Sequence, residues 1–259
     1  MRMTKTLAAI ALSAAVIGLS ACGSDDDSSD GASGEGDELT VLAASSLTEA
    51  FDELEKTFES EHDVDVKISF DSSSVLAEQA IQGAPADVLA TADVQTMQTV
   101  VDEGLTEGDP QIFASNTLTI VTPPDNPANI KSLNDFTSDD VKFAVCVPEA
   151  PCGDASQRLL KLNNIDADAA TQEQNVKSVL TKVTQGEVDA GLVYVSDAQA
   201  AGDDVATVDA ENSSEVVNSD PIAVLSDAAD PDLAHDWVDL VSGKEGERVL
   251  KSYGFQPGT

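Results

Sequence analysis

The chain has 259 residues, of which 41% are hydrophobic and only 4% aromatic, and its formal net charge at pH 7 is −35. This length and apolar content suffice for one or two domains with aliphatic cores. The charge excludes nucleic acid as a partner and argues against binding to an anionic membrane surface, because both would repel the chain. Acidic residues are spread along the whole chain, which is typical of a solvated surface. Any anionic ligand must therefore be held by local donors.

The first 21 residues have the features of a secretory signal peptide. Arg2 and Lys5 supply a positively charged start, and an apolar run over 7–19 follows. This run is short for a membrane-spanning helix. Residues 19–22, LSAC, match the lipobox of bacterial lipoproteins, so we expect Cys22 to be acylated and to become the new N-terminus. The protein is therefore predicted to be exported and anchored to the outer face of the cell membrane by this lipid.

Residues 22–37 form an acidic segment of low complexity. Its sequence, CGSDDDSSDGASGEGD, lacks the apolar residues that a packed core needs. We expect a flexible tether that holds a folded part, beginning near Leu39, away from the membrane.

From Leu39 onward, short apolar runs alternate with helical patterns. Strands are predicted at 39–43, 64–70, 86–90, 118–121, 141–145, 190–195 and 221–225. Helices are predicted at 47–58, 75–82, 94–103, 154–162, 175–185, 233–241 and 244–252, with a short helical turn at 132–136. Gly83, Gly104 and Gly186 end three of the helices. This order predicts an α/β fold with mostly parallel sheets and short crossovers.

Serines lie where the first two strands pass into helices. Ser45 and Ser46 follow the first strand, and residues 72–74, SSS, follow the second. A helix N-terminus carries unpaired N–H groups and the positive end of the helix dipole, so it binds anions. In α/β sheets, ligands bind at the carboxyl ends of the strands. These serines therefore indicate an anion site, although serine is also a common N-cap and capping alone is the alternative.

Two pairs of residues have the spacing of a capping box. In this motif the side chain of the N-cap residue accepts from the N–H three positions on, and the side chain at that position accepts from the N–H of the N-cap residue. Ser46 and Glu49 form the first pair, and Asp154 and Gln157 form the second. These pairs predict that one helix begins at Ser46 and another at Asp154.

Five motifs stand in a characteristic order along the folded part. They are AASSLTEA at 43–50, SSS at 72–74, QGAPADV at 82–88, GLVYVSDA at 191–198 and YGF at 253–255. In order and spacing, from about Leu39 to the C-terminus, they resemble the molybdate-binding proteins of bacterial ABC importers. The resemblance implies a monomer that captures molybdate, and tungstate as well, for a membrane permease driven by a cytoplasmic ATPase.

The resemblance also implies a class II periplasmic-binding-protein fold. In this fold two α/β lobes with mostly parallel sheets are joined by two crossover strands, and the ligand lies in the cleft between them. We expect the first lobe to comprise 38–117 plus 221–259, and the second lobe to comprise 118–220. The crossings are expected near 115–124 and 217–223, and hinge motion would close the lobes over the ligand.

Carried over residue by residue, the resemblance implies an oxyanion site with five donors. Ser46 and Ser73 contribute from the first lobe through their hydroxyls and N–H groups. The backbone N–H of Val176 and the hydroxyl of Tyr194 contribute from the second lobe, and a fifth backbone N–H is assigned to Cys152. The alternative for Tyr194 is a core tyrosine at a strand end.

Molybdate suits such a site because at neutral pH it is a dianion without a proton, so it only accepts hydrogen bonds. Neutral donors and helix N-termini suffice to bind it, and neither Lys nor Arg is required. No cofactor or further metal is expected.

If Cys22 is acylated, Cys146 and Cys152 remain as a pair in an exported protein. We expect them to form a disulfide beside the site. Two free buried thiols are the alternative, whereas a metal site is disfavoured because no His or further Cys lies nearby in sequence.

The chain lacks the G-x-S-x-G, H-E-x-x-H and Walker A patterns, so we expect no enzyme. Sulfate or another tetrahedral oxyanion is the alternative ligand. A sensing or other non-transport binding lipoprotein is the alternative role. A ferric-iron receptor is disfavoured because such receptors pair tyrosines, and here one of the two, Tyr253, belongs to the C-terminal motif.

Overall fold

The computed structural model describes residues 38–258, so the predicted signal peptide, Cys22 and the tether lie outside the described residues. The strands are β1 Glu38–Ala44, β2 Asp65–Asp71, β3 Val88–Ala90, β4 Gln111–Asn116, β5 Leu118–Thr122, β6 Phe143–Cys146, β7 Thr171–Glu173, β8 Ala190–Tyr194, β9 Ala206–Val208, β10 Asn218–Val224 and β11 Gln256–Pro257. The α-helices are α1 Thr48–His62, α2 Ser73–Ile81, α3 Val94–Asp102, α4 Pro151–Leu162, α5 Val176–Thr184, α6 Val195–Ala201, α7 Pro231–Ser242 and α8 Lys244–Ser252. Within residues 38–258, no helix combines the length and apolarity needed to cross a membrane.

The strands form two sheets, and we call the parts that carry them the first lobe and the second lobe. The first sheet has the order β11-β4-β10-β3-β1-β2, and the second has the order β7-β6-β8-β5-β9. The α/β class and the two-lobe fold are thus confirmed, but the sheets are mixed rather than mostly parallel. The strands β1, β2 and β3 are parallel, as are β6, β7 and β8, whereas β10 and β5 pair antiparallel with their neighbours.

The direction of β5 and β10 follows from the path of the chain. It leaves the first sheet after Asn116 and enters the second sheet at Leu118, and it returns between Val208 and Asn218. The parallel strands end at the boundary between the lobes, while β5 and β10 begin there. A strand that enters a lobe from this boundary must run against those that end at it. The residue ranges given above for the two lobes stay predictions.

The two capping boxes predicted from the sequence are wrong. Ser46 lies in a 3-10 turn, Ser45–Leu47, and α1 begins after it without a side-chain cap. The helix α4 begins at Pro151, so Asp154 lies within its first turn. Proline favours the first helical position because its fixed φ suits a helix and its missing N–H leaves no donor unpaired. Because α1 begins without a side-chain cap, the hydroxyl of Ser46 does not cap a helix.

Aromatic side chains pack two helices of the first lobe against each other. The ring of Trp237, in α7, packs edge-on against Phe51 and Phe58 of α1, with centroid distances of 5.6 and 5.3 Å. All three side chains are fully buried. This chain has few aromatic residues, so these three side chains account for much of the apolar area that large side chains bury in the first lobe.

Replacing Trp237 by alanine should lower the free energy of unfolding by about 3–5 kcal/mol, because it leaves a cavity between α1 and α7. Urea unfolding followed by circular dichroism measures this change. Val94 is 48% exposed, and Val94→Ala, as the control, should change the same quantity by less than about 0.5 kcal/mol. A comparable loss in both variants would contradict the assignment of the cluster.

Candidate functional site

A small cavity lies between the lobes, where strands end and helices begin. Its empty volume, including its open mouth, is about 210 Å³, so the enclosed space is smaller still. It is lined by Ala44, Ser45, Ser46, Asp71, Ser72, Ser73, Ala92, Pro151, Cys152, Asn175, Val176 and Tyr194. The cavity therefore suits a small ion better than an organic ligand.

The first lobe contributes the segments that follow its three parallel strands. Ser45 and Ser46 follow β1, Ser72 and Ser73 follow β2, and Ala92 follows β3. The strand β1 pairs in parallel with both β2 and β3, so these three segments meet at one edge of the sheet. The serines are buried against the cavity.

Ser72 occupies the N-cap position of α2 but makes no capping bond through its side chain. Its backbone N–H donates to Asp71 Oδ1 at 2.7 Å, and its hydroxyl lies 3.0 Å from that of Ser74. The capping alternative is therefore wrong for Ser72. The first N–H groups of α2 keep their capacity to donate to a ligand.

The second lobe contributes three further chain segments that open helices. Pro151 and Cys152 are the first residues of α4, Val176 is the first residue of α5, and Tyr194 ends β8 directly before α6. Asn175 caps α5, since its Oδ1 accepts from the N–H of Ser178 at 3.0 Å. Helix N-termini from both lobes thus converge on the cavity, which favours a negatively charged ligand.

A chain of hydrogen bonds links Ser73 of the first lobe with Tyr194 of the second. The N–H of Ala92 donates to Ser73 Oγ at 2.9 Å. The amide of Asn218, on β10, donates to the carbonyl of Ala92 at 3.1 Å and to the hydroxyl oxygen of Tyr194 at 2.8 Å. Each hydroxyl oxygen accepts one bond, and neither hydroxyl donates to another group of the described residues, so both protons can donate to a ligand.

Tyr194 keeps its proton at any physiological pH. Burial raises the pKa of its hydroxyl well above 10, and the carboxylates of Asp220, Asp93 and Asp197 raise it further. The hydroxyl of Tyr194 is therefore a lasting donor.

Cys146 and Cys152 form a disulfide, which ties the end of β6 to the first turn of α4. The chain is also tight at Gly153, directly after Cys152, where a Cβ atom would collide with the backbone carbonyl of Val147. Only glycine fits at this position. The disulfide and this close contact together fix the loop that presents the N–H of Cys152.

The structure brings all five predicted site residues, Ser46, Ser73, Cys152, Val176 and Tyr194, to this one cavity. That they bind an oxyanion stays a prediction. Sequence reasoning missed two groups around them. Neither Asn218 nor Lys177 belongs to a motif that marks it in the sequence.

Two buried acids lie behind the cavity. Asp197 and Asp220 are 0% and 1% exposed; Asp197 Oδ1 lies 3.2 Å from Lys177 Nζ, whereas the carboxyl oxygens of Asp220 have no hydrogen-bond partner within the described residues. Burial raises the pKa of Asp197 to about 6 despite nearby Lys177. Burial also raises the pKa of Asp220 well above its usual range, with Asp93 and Asp197 adding to the effect.

Two α/β lobes joined by crossing strands, with a small polar cavity between them, define a solute-binding protein. The model of the family described as bacterial extracellular solute-binding protein matches residues 39–256, and the chain belongs to this family.

Three of the proteins similar to this chain are molybdate-binding proteins. The molybdate-binding protein ModA of Mycobacterium tuberculosis is 40% identical over 243 residues, which cover 93% of each chain. ModA of Escherichia coli is 33% identical over 229 residues, which cover 84% of this chain and 88% of that one. The periplasmic molybdate-binding protein of Azotobacter vinelandii superposes with a TM-score of 0.74 at 17% identity, covering 85% of this chain and all of that one. This last likeness shows the shared fold.

The buried acids predict that the protein is more stable in mild acid than at neutral pH. The unfolded chain releases the proton of Asp197 near pH 3.8, whereas the folded protein holds it to about pH 6. The stabilisation is therefore complete below about pH 4 and is lost as the pH rises to about 6, which amounts to about 2–3 kcal/mol for Asp197. Thermal unfolding between pH 4 and 8 measures it.

Asp220→Asn isolates the second acid, because the amide resembles the protonated carboxyl group. This variant should be more stable than the native chain at pH 7.5, and the difference should shrink toward pH 4. Asp139→Asn, at an exposed position, is the control and should show no such trend. Equal pH profiles for Asp220→Asn and the native chain would refute the conclusion that burial raises the pKa of Asp220.

Proposed function

We propose that this protein captures molybdate outside the cell membrane and delivers it to an ABC permease. The observation that carries the proposal is the meeting of five donors, from five separate chain segments, in one cavity of about 210 Å³. The ModA relatives support the same ligand, since the protein from Mycobacterium tuberculosis covers almost the whole chain.

The donor chemistry fits an oxyanion that carries no proton. Among the residues that line the cavity there is no Lys or Arg. The hydroxyls of Ser73 and Tyr194 are polarised to donate, and the N–H groups of Cys152 and Val176 belong to the first turns of their helices. Molybdate and tungstate accept hydrogen bonds at all four oxygens, so each donor finds a partner. Sulfate has the same charge and shape but is smaller, and cavity size would discriminate against it.

Export, anchoring and partners complete the proposal. The family is extracellular, and the LSAC motif at 19–22 supports a lipid on Cys22 that holds the protein at the outer face of the membrane. The protein would act as a monomer, without converting its ligand, and pass it to the permease and its ATPase. Loss of molybdate uptake on deletion of the gene would separate this role from sensing.

Calorimetric titration of the purified protein with molybdate, tungstate and sulfate tests the ligand. We expect tight one-to-one binding of the first two and weak or absent binding of sulfate. Binding of sulfate alone would overturn the assignment of molybdate as the ligand but would leave the cleft as the binding site. Absence of binding to all three would overturn the proposed function.

Ser46→Ala and Ser73→Ala should each weaken molybdate binding by about 1–3 kcal/mol, because each removes a donor to a charged ligand. Ser46→Ala is the cleaner variant, since Ser73 also accepts the N–H of Ala92. Ser60→Ala is the control, because Ser60 is exposed on α1 and does not line the cavity. Unchanged affinity in both site variants would refute the donor set.

A further inference from the structure

The first turn of α5 reaches across to the first lobe on both sides of Val176. On one side, Asn175 Nδ2 donates to Asp71 Oδ1 at 3.0 Å. On the other, Lys177 Nζ donates to both carboxylate oxygens of Glu49, at 2.8 and 2.7 Å. These contacts join residues that are 104 and 128 positions apart in the chain, and each runs from the second lobe to the first.

Lys177 is charged in this arrangement. Its Nζ also lies 3.2 Å from Asp197 Oδ1, and its side chain is 25% exposed. Burial alone would lower the pKa of the ammonium group, but Asp197 and Glu49 together outweigh it and hold that pKa above its usual range. The contact with Glu49 is therefore a charge-assisted hydrogen bond in a partly desolvated setting, which is stronger than an exposed surface pair.

The partners in the first lobe stand next to the serines of the cavity. Glu49 is the second residue of α1, three positions after Ser46, and Asp71 is the last residue of β2, two positions before Ser73. Separation of the lobes would break both contacts and move the N–H of Val176 away from these serines at the same time. Closure and assembly of the donor set are thus one movement.

We propose that the pairs Glu49–Lys177 and Asp71–Asn175 form a two-point clamp that holds the lobes closed and positions the N–H of Val176, so that they slow release of the ligand. The identity of that ligand rests on the proposed function, whereas the closure itself does not. Glu49, Asn175 and Lys177 are positioning residues in this scheme, and it assigns a role to the cation that the sequence analysis did not need.

Glu49→Ala is the sharpest test, because it removes the contact between lobes and leaves the pair Lys177–Asp197 intact within the second lobe. Replacement of Lys177 would instead leave Asp197 buried without a cation. Glu49 is 38% exposed, so the variant should fold, and circular dichroism checks this. If Glu49 merely repelled the anion, Glu49→Ala would bind molybdate more tightly; the clamp requires the opposite sign.

We expect Glu49→Ala to raise the dissociation rate of molybdate about ten-fold, measured by stopped-flow competition. Glu49→Gln, which keeps an acceptor oxygen, should fall between this variant and the native chain. Glu187→Ala is the matched control, because Lys182, on the same helix as Lys177, donates to Glu187 at 2.7 Å within the second lobe. A native or slower dissociation rate in Glu49→Ala would overturn the clamp.

Small-angle X-ray scattering without added ligand separates this inference from the proposed function. Glu49→Ala should have a larger radius of gyration than the native chain and the Glu187→Ala control. If the native protein fails to bind molybdate but this difference appears, the clamp stands and the ligand assignment falls. Equal radii in all three proteins would overturn the clamp whatever the ligand.

Discussion

Holding an anion inside a chain with a formal net charge of −35 is the constraint on which the arrangement of the lobes depends. A basic patch is ill suited to supply the attraction, because the chain has only 13 Lys and Arg residues against 48 Asp and Glu residues. Helix N-termini supply it instead, since their N–H groups and dipoles attract an anion without adding a formal charge. Each such terminus follows a strand that ends at the cavity, and the strand order of the two sheets aims them at one point.

The hydroxyl donors depend on a second layer of bonds. Ser73 and Tyr194 would be ambiguous groups on their own, because a hydroxyl can accept as well as donate. The N–H of Ala92 and the amide of Asn218 each occupy one of the two lone pairs on these oxygens and so fix where the hydroxyls lie. The bonds behind the site thus position the donors that a ligand meets.

Local sequence patterns predict the parts of this molecule that local forces build. The apolar runs at 39–43 and 64–70 predict β1 and β2 to within a residue or two, and α5 is evident from its spacing of valines. The strand β7 escapes prediction because its sequence, TQE, has no apolar residue and forms only by pairing with β6. Asn218 and Lys177 escape because their partners are remote in sequence, so no window of residues contains both members of a pair.

The position of Tyr194 beside the crossing strands has a consequence for the order of events when the cleft opens. Leu118, directly after the crossing at Thr117, pairs with Tyr194, and Asn116 pairs with Asn218 on the returning strand. Points near a rotation axis travel little, so Tyr194 would stay beside Asn218 and Ser73 while the start of α5 swings through a wide arc. An entering anion would thus first meet Ser73 and Tyr194, which already lie together near the crossing strands. The remaining donors would reach the anion last, as the lobes close.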